Sequence, residues 1–389
     1  MRKTILLFLF FFTFLQNVKA QIKLSVYSEI SIVTAGPGTE LYEAFGHSAI
    51  RVKDPVLNID LIYNYGMFDF NAPNFEANFT KGKLLYSLSR YKFKYFLASY
   101  KKDKRWVKQQ VLNLNKQDKQ AFFMYLENNA APENATYYYD PYYNNCATKL
   151  RDIATTILGD KIVLSDKGIE KNQSFRQLMN NEIHWNTWGS FGINLALGSK
   201  LDKKADFTEY MYLPKYGFTI FKNSTLFIKN QPEKLIKKEE TLLDFKELEQ
   251  KISMFNPFLV FSTFALIGLF FTFSDYKKNK ISKWLDYITL FTTGIVGILI
   301  IFLWFFTDHS TTPNNFNFLW AFAPNLIVAF LMIKKQQPNW FNYYFKFLVF
   351  LLLVIPILWI SKVQLFPISV IPLLIFLFVR YLFLSKKLN

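Results

Sequence analysis

The sequence predicts an exported α+β domain followed by an α-helical domain that crosses a membrane five times. Three observations predict it: a basic-then-apolar segment at the N-terminus, a middle section whose apolar residues fall into strand-length and helix-length groups, and a C-terminal third of long apolar runs separated by lysines. The 389 residues suffice for two domains of ordinary size. With 44 Phe and 51% hydrophobic residues the chain is heavy in apolar side chains for a soluble protein.

Arg2 and Lys3 precede the apolar run Ile5–Leu15, and Val18-Lys19-Ala20 matches the small-x-small pattern before Gln21. The run is too short for a comfortable span. Residues 1–20 are therefore expected to be a signal peptide cleaved after Ala20, with no cysteine at the cleavage point to take a lipid. An uncleaved anchor would leave the topology of the rest unchanged.

Residues 256–389 read as five spans, near Pro257–Phe273, Leu285–Phe306, Phe316–Ile333, Phe345–Ile360 and Phe366–Leu384. Lys277, Lys278, Lys280 and Lys283 follow the first span, Lys334, Lys335 and Lys346 the third, and Lys386 and Lys387 the fifth. The loops after spans two and four hold only Lys362. The lysine-rich loops and the C-terminus are thus expected in the cytoplasm. Residues 21–255 then lie outside, where a signal peptide would send them; four or six spans would break that agreement. The chain is therefore expected to be a multi-pass membrane protein with the first domain outside. Eleven Lys or Arg against three Asp from Asn256 onward supply much of the net charge of +17, so the basic balance does not imply a nucleic-acid partner.

The exported half reads as mixed α and β. Ser25–Thr34, His47–Val52, Leu57–Tyr65 and Trp106–Leu114 read as strands. Asn115 followed by Asp118 reads as the cap of a helix to about Asn129. A second helix is expected from Cys146 to near Gly159, with Cys146, Leu150, Ile153, Ala154 and Ile157 on one face. The charge run Lys234–Glu240 reads as a solvated juxtamembrane helix.

Cys146 is the only cysteine and has no intramolecular disulfide partner. It could be a small buried hydrophobe. Its place in a first helical turn, behind Asn144-Asn145, instead favours the thiolate through unpaired N–H groups and the helix dipole. A cysteine nucleophile needs a base. Among His47, His184 and His309, context selects His47, because a strand histidine facing a cysteine at a helix start is the papain-like arrangement. Here His47 precedes Cys146, the order of permuted papain-like folds. Asn64, within the next strand, is the candidate that orients the imidazole, and Tyr63 and Tyr65 fall on the opposite face of a regular strand.

Three segments then resemble the Lnb-type lipoprotein N-acyltransferases of Gram-negative bacteria: Phe45-Gly46-His47-Ser48-Ala49-Ile50-Arg51-Val52, Tyr63-Asn64-Tyr65-Gly66-Met67-Phe68-Asp69-Phe70 and Asn144-Asn145-Cys146-Ala147-Thr148-Lys149-Leu150-Arg151-Asp152. The resemblance extends to the outward Thr307-Asp308-His309 loop, the stretch from Asn317 to Trp320 and the span count. The exported domain thereby resembles the permuted papain-like domains of NlpC-type peptidases or of lecithin:retinol acyltransferase-like enzymes. The resemblance implies a bacterial inner-membrane location, multi-pass, with the first domain in the periplasm, and a ping-pong acyl transfer. Cys146 would take a fatty acyl chain from a phospholipid, and the thioester would pass it to the N-terminal amine of a diacylglyceryl-lipoprotein. The oxyanion donors would be the Cys146 N–H and one further group, for which Tyr139 is a candidate. Where a family arginine would follow Cys146, this chain has Lys149 with Arg151 beyond, and Arg151 is held as a substrate-binding candidate.

The tyrosine-rich loop before Cys146 has a plainer role in packing or at a membrane interface. His309 could be a solvated loop residue; the sharper reading places it at the membrane face of the site with Asn314, Asn315 and Asn317, holding a headgroup. Two other functions fit the sequence. One is a periplasmic cysteine peptidase or amidase acting on cell-wall peptides; the other is a non-catalytic envelope sensor. No metal site is expected from scattered histidines, nor a cofactor, since no phosphate loop or dinucleotide motif occurs.

Overall fold

The computed structural model describes residues 22–69 and 71–388. The signal segment expected over residues 1–20 lies outside the described residues. The first domain is built on a seven-stranded antiparallel sheet. Its strands are β1 (Glu29–Ala35), β2 (His47–Asp54), β3 (Ile59–Met67), β4 (Leu85–Lys92), β5 (Val107–Leu112), β6 (Thr136–Tyr138) and, after a small sheet, β10 (Ile236–Leu243). They lie in the order β10-β5-β1-β2-β3-β4-β6, and β7 (Ile162–Val163), β8 (Thr225–Ile228) and β9 (Gln231–Lys234) form the small sheet.

The central strands are covered on both faces, which is why β1 alternates only weakly. Ile30 and Ile32 enter the main core with Ile50, Val52 and Tyr63, beneath the helices Lys116–Asn129, Cys146–Leu158 and Pro214–Asn223. Val33, Ala35, Ala49 and Ile62 face a second core, closed by Phe93, Phe96 and Tyr100 of the helix Phe93–Lys102. A strand buried on both faces reads as a nearly continuous apolar run. The Asn115 cap forms as expected, its side chain accepting from the Asp118 N–H.

One expectation fails here. Lys234–Glu240 is not a helix: its residues close β9 and enter β10, which pairs antiparallel with β5. The open edge of β5 satisfies that backbone, and the charges suit an edge strand because they discourage further pairing. Lys238 and Glu240, two residues apart, share a face and form an ion pair.

The membrane domain has four helices long and apolar enough to cross a bilayer: Pro257–Lys277, Lys283–Phe305, Phe341–Ile360 and Ile368–Lys387. The continuous third span expected over Phe316–Ile333 is absent. Its place is taken by a 3-10 turn, Phe316–Leu319, an irregular stretch, and a helix of eight residues, Asn325–Met332. This broken segment still connects opposite ends of the second helix. At one end Asn315 and Asn317 donate to the carbonyls of Leu195 and Asn194 in the first domain; at the other the Lys334 carbonyl accepts from Lys283 at 2.6 Å. Irregular backbone at such depth is tolerated only when buried in protein. Gly297 makes room for it, since a Cβ there would lie 2.1 Å from the Ala321 carbonyl oxygen. Asn325 fastens the break, donating to Thr293 and accepting from Tyr344.

A buried ionic triad ties three helices together. Arg380 pairs with Asp286 through Nε and Nη2 and with Asp275 through Nη1, all three side chains being fully buried. Charges inside apolar runs are retained where they pair with one another, as these do. Arg380→Met leaves two carboxylates without their partner and is expected to destabilise the domain by about 3–5 kcal/mol. Thermal unfolding in detergent checks this: the midpoint falls in the single variant and recovers in part when Asp275→Asn and Asp286→Asn are added. Equal midpoints for wild type and Arg380→Met would refute it.

Candidate active site

The site begins with the start of the Cys146–Leu158 helix. Asn145 is the N-cap: its side chain accepts from the N–H groups of Ala147 and Thr148, both at 2.9 Å, and Thr148 returns the bond as a capping box. The same amide donates to the carbonyls of Pro141 and Tyr212, so a buried asparagine fixes the helix start against its surroundings. Cys146 follows as the first helical residue, 7% exposed, over the sheet at β2 and β3.

His47 opens β2, paired with Ala35 of β1. Its Nε2 lies 2.5 Å from Asn64 Oδ1. The Asn64 amide nitrogen points to Tyr91 Oη and Met67 Sδ, both at 3.1 Å, so the carbonyl oxygen faces the ring and Nε2–H is the donor. Nδ1 is then left with its lone pair, and Cys146 acts on the ring through its charge and a hydrogen bond. Burial alone would raise the Cys146 thiol, but the His47 charge, its hydrogen bond and the N–H groups of Ser48 and Ala147 lower it. Burial pulls His47 down, and the Cys146 charge with the hydrogen bonds His47 makes to Cys146 and Asn64 pushes it up beyond that. Both directions favour a thiolate–imidazolium pair. The structure thus brings together Cys146, His47 and Asn64. Tyr63 and Tyr65 turn the other way as expected, toward Glu127 and Asn129 of the helix behind.

Tyr139 lies beside the cysteine. A Cβ placed on Gly66 would be 3.4 Å from Tyr139 Cε2 and 3.8 Å from Cys146 Cβ. Gly66 has φ 87° and sits where the β3–β4 register shifts, so the bulge and the missing side chain open the space beside the thiol. A glycine inside a strand pattern is the sequence signal for such a bulge, and reading it as one would have found this position. Tyr137, in the tyrosine-rich loop expected to pack or to meet a membrane interface, also reaches the site. Its hydroxyl oxygen is 4.0 Å from that same Gly66 position and is buried without a hydrogen-bond partner of normal geometry. Burial first, then the Cys146 charge, raises both phenols, which therefore stay protonated. Lys149 lies over the Tyr137 ring at 4.6 Å, its own ammonium pushed down by burial.

The remaining candidates lie further out. Arg151 is turned away, donating to the Thr208 carbonyl and to Asp152. His184 accepts from the Asn186 N–H in a local turn. His309 is in the loop between the second helix and the broken segment, and that loop is clamped by the first domain. The Asp308 N–H donates to Lys81, the carbonyls of Thr311 and Asn314 accept from Gly198 and Ser199, and Ser310 donates to Asp140. Asp140 in turn caps Tyr142 and Tyr143, four and three residues before Cys146. The loop therefore braces the chain that leads into the nucleophile.

Two family descriptions match the chain: the Lnb N-terminal periplasmic domain over residues 15–181 and the Lnb transmembrane domain over residues 249–388. No curated relative and no solved structure matches it.

Proposed function

Because the chain belongs to the Lnb family, with a periplasmic domain first and a transmembrane domain second, we propose that it is a cysteine acyltransferase of lipoprotein maturation. The reading rests on one observation above all, the Cys146–His47–Asn64 constellation at a capped helix start. The same constellation, histidine strand before cysteine helix, supports a permuted papain-like domain.

In the first half-reaction His47 Nδ1 takes the Cys146 proton and the thiolate attacks the ester carbonyl of a phospholipid. The tetrahedral oxyanion collapses, the glycerol oxygen leaves with the proton from His47, and an acyl thioester and a lysophospholipid result. In the second, the α-amine of a diacylglyceryl-cysteine attacks the thioester. His47 accepts the amine proton, an amide forms and the thiolate is released. The orphan O–H of Tyr137 is suited to donate to the oxyanion in both steps. Tyr137→Phe is accordingly expected to lower kcat by roughly 10²–10³-fold with little change in KM. Steady-state kinetics check it, and an unchanged kcat would assign the oxyanion elsewhere.

Both substrates live in a bilayer, and tethering the site there turns a three-dimensional search into a local one. The lysine-rich loops support a cytoplasmic C-terminus, with the broken segment supplying the third of five passes. The full-length protein incubated with phospholipid should gain a fatty-acyl mass that neutral hydroxylamine removes and that a diacylglyceryl-cysteine peptide discharges. No adduct in any lipid or detergent would turn the reading toward cell-wall peptides as substrates.

A further inference from the structure

A line of aromatic rings leads from the nucleophile to the membrane domain. Tyr139, which shares the Gly66 space with Cys146, stacks on Tyr86 with 4.4 Å between ring centroids. Tyr86 meets Phe68 at 4.9 Å, Phe68 meets Phe75 at 6.0 Å, and Phe75 meets Phe79 at 6.1 Å. The contour of these steps is comparable to a long fatty acyl chain. The near end is buried and the far end is open: Phe79 is 49% exposed.

The far end is built unlike the rest of the domain. Phe75 and Phe79, one turn apart on the short helix Phe75–Thr80, share a face, yet the helix buries no side chain and its Asn74 cap, at φ 57°, makes no side-chain capping bond. Phe79, a large apolar side chain held at the surface on this helix, gains when something apolar covers it. Directly after this helix Lys81 accepts from the Asp308 N–H, in the loop that joins two passes of the membrane domain. One end of the ladder therefore stands at the thiol and the other beside the membrane segment. A flexible hydrocarbon fits that line, because the edges of the stacked rings offer it apolar contact and ask little hydrogen bonding of it.

We propose that Tyr139, Tyr86, Phe68, Phe75 and Phe79 form the track that holds the acyl chain of the phospholipid donor, with its ester carbonyl at Cys146 and its methyl end toward Phe79. This rests on the acyltransferase reading and adds the place of the chain. The track sets a chain-length preference: short chains stop before Phe75, and long ones use the whole line.

The test is acylation of Cys146 in the full-length protein, followed by intact mass, with a sixteen-carbon and a six-carbon phosphatidylglycerol as donors in the same detergent. Phe75→Ala/Phe79→Ala is expected to slow the long-chain donor by about tenfold or more, as loss of contact to a few methylenes implies. It should leave the short-chain donor within about threefold, since a chain that stops before Phe75 gains no burial there. Phe79→Leu should retain most of the long-chain rate, and unchanged iodoacetamide reactivity of Cys146 reads an intact site. Equal loss with both donors, or loss with neither, overturns the track while the acyltransferase reading stands. Absence of an adduct in the wild type with either donor overturns both.

Discussion

Cys146→Ala is expected to abolish acyl-enzyme formation and transfer, by roughly 10⁶-fold if the group acts as a unit with its base. The substitution removes the sulfur and adds nothing, at a position where the helix cap is carried by Asn145 and Thr148 rather than by the cysteine. The fold should persist, and far-UV circular dichroism with the thermal midpoint checks that it does. Cys146→Ser separates chemistry from packing. Any ester it forms is an oxyester, so a trapped acyl mass in that variant should resist neutral hydroxylamine where the wild-type adduct is cleaved. If Cys146→Ala retained transfer, the nucleophile and the whole constellation would be misassigned.

The second large effect belongs to His47→Ala, expected to cost roughly 10⁴-fold in transfer, the upper range for loss of a general acid–base. Its pH signature is more telling than its size. In the wild type the thiol of Cys146 is lowered chiefly by the His47 charge and hydrogen bond, against burial acting upward. Thiolate is present above that lowered value and is lost as pH falls through it. Alkylation by iodoacetamide should therefore stay fast to lower pH than for an ordinary thiol. Removing the imidazole leaves the burial in place, so the reactive limb should move toward alkaline pH. His47→Ala with an unshifted profile would mean that the backbone N–H groups of Ser48 and Ala147, and not the histidine, set the thiol.

Much of the site was legible because it lies in local signals. Asn145 before Cys146 is a cap by residue type and position, and the cap alone places the thiol at a helix start. His47 was chosen from three histidines by its strand, and Asn64 by its place on the next one, where period-two alternation separates it from Tyr63 and Tyr65. Tyr137 was not legible in the same way, and Gly66 only in part, since a glycine inside a strand signals a bulge but not what the bulge faces. Tyr137 acquires its orphan hydroxyl only when β6 docks on β4, and Gly66 its space only when the β3 bulge turns toward Cys146. Arg151, close to Cys146 in sequence, is carried away by helical rotation to the Thr208 carbonyl.

The membrane domain divides along the same line. Hydropathy by itself determined a first domain ahead of a set of apolar passes, because transfer from water to lipid is a sum over residues that needs no tertiary partner. It could not tell a continuous third helix from a broken one, since the stretch from Phe316 to Ile333 is apolar either way. Only the tertiary structure decided that, by placing Gly297 against the Ala321 backbone and Asn325 between Thr293 and Tyr344, so that unwound chain found room and hydrogen-bond partners. It likewise turned Lys234–Glu240 from an expected helix into strands, because the unpaired edge of β5 offered those backbone groups partners that no local propensity could foretell.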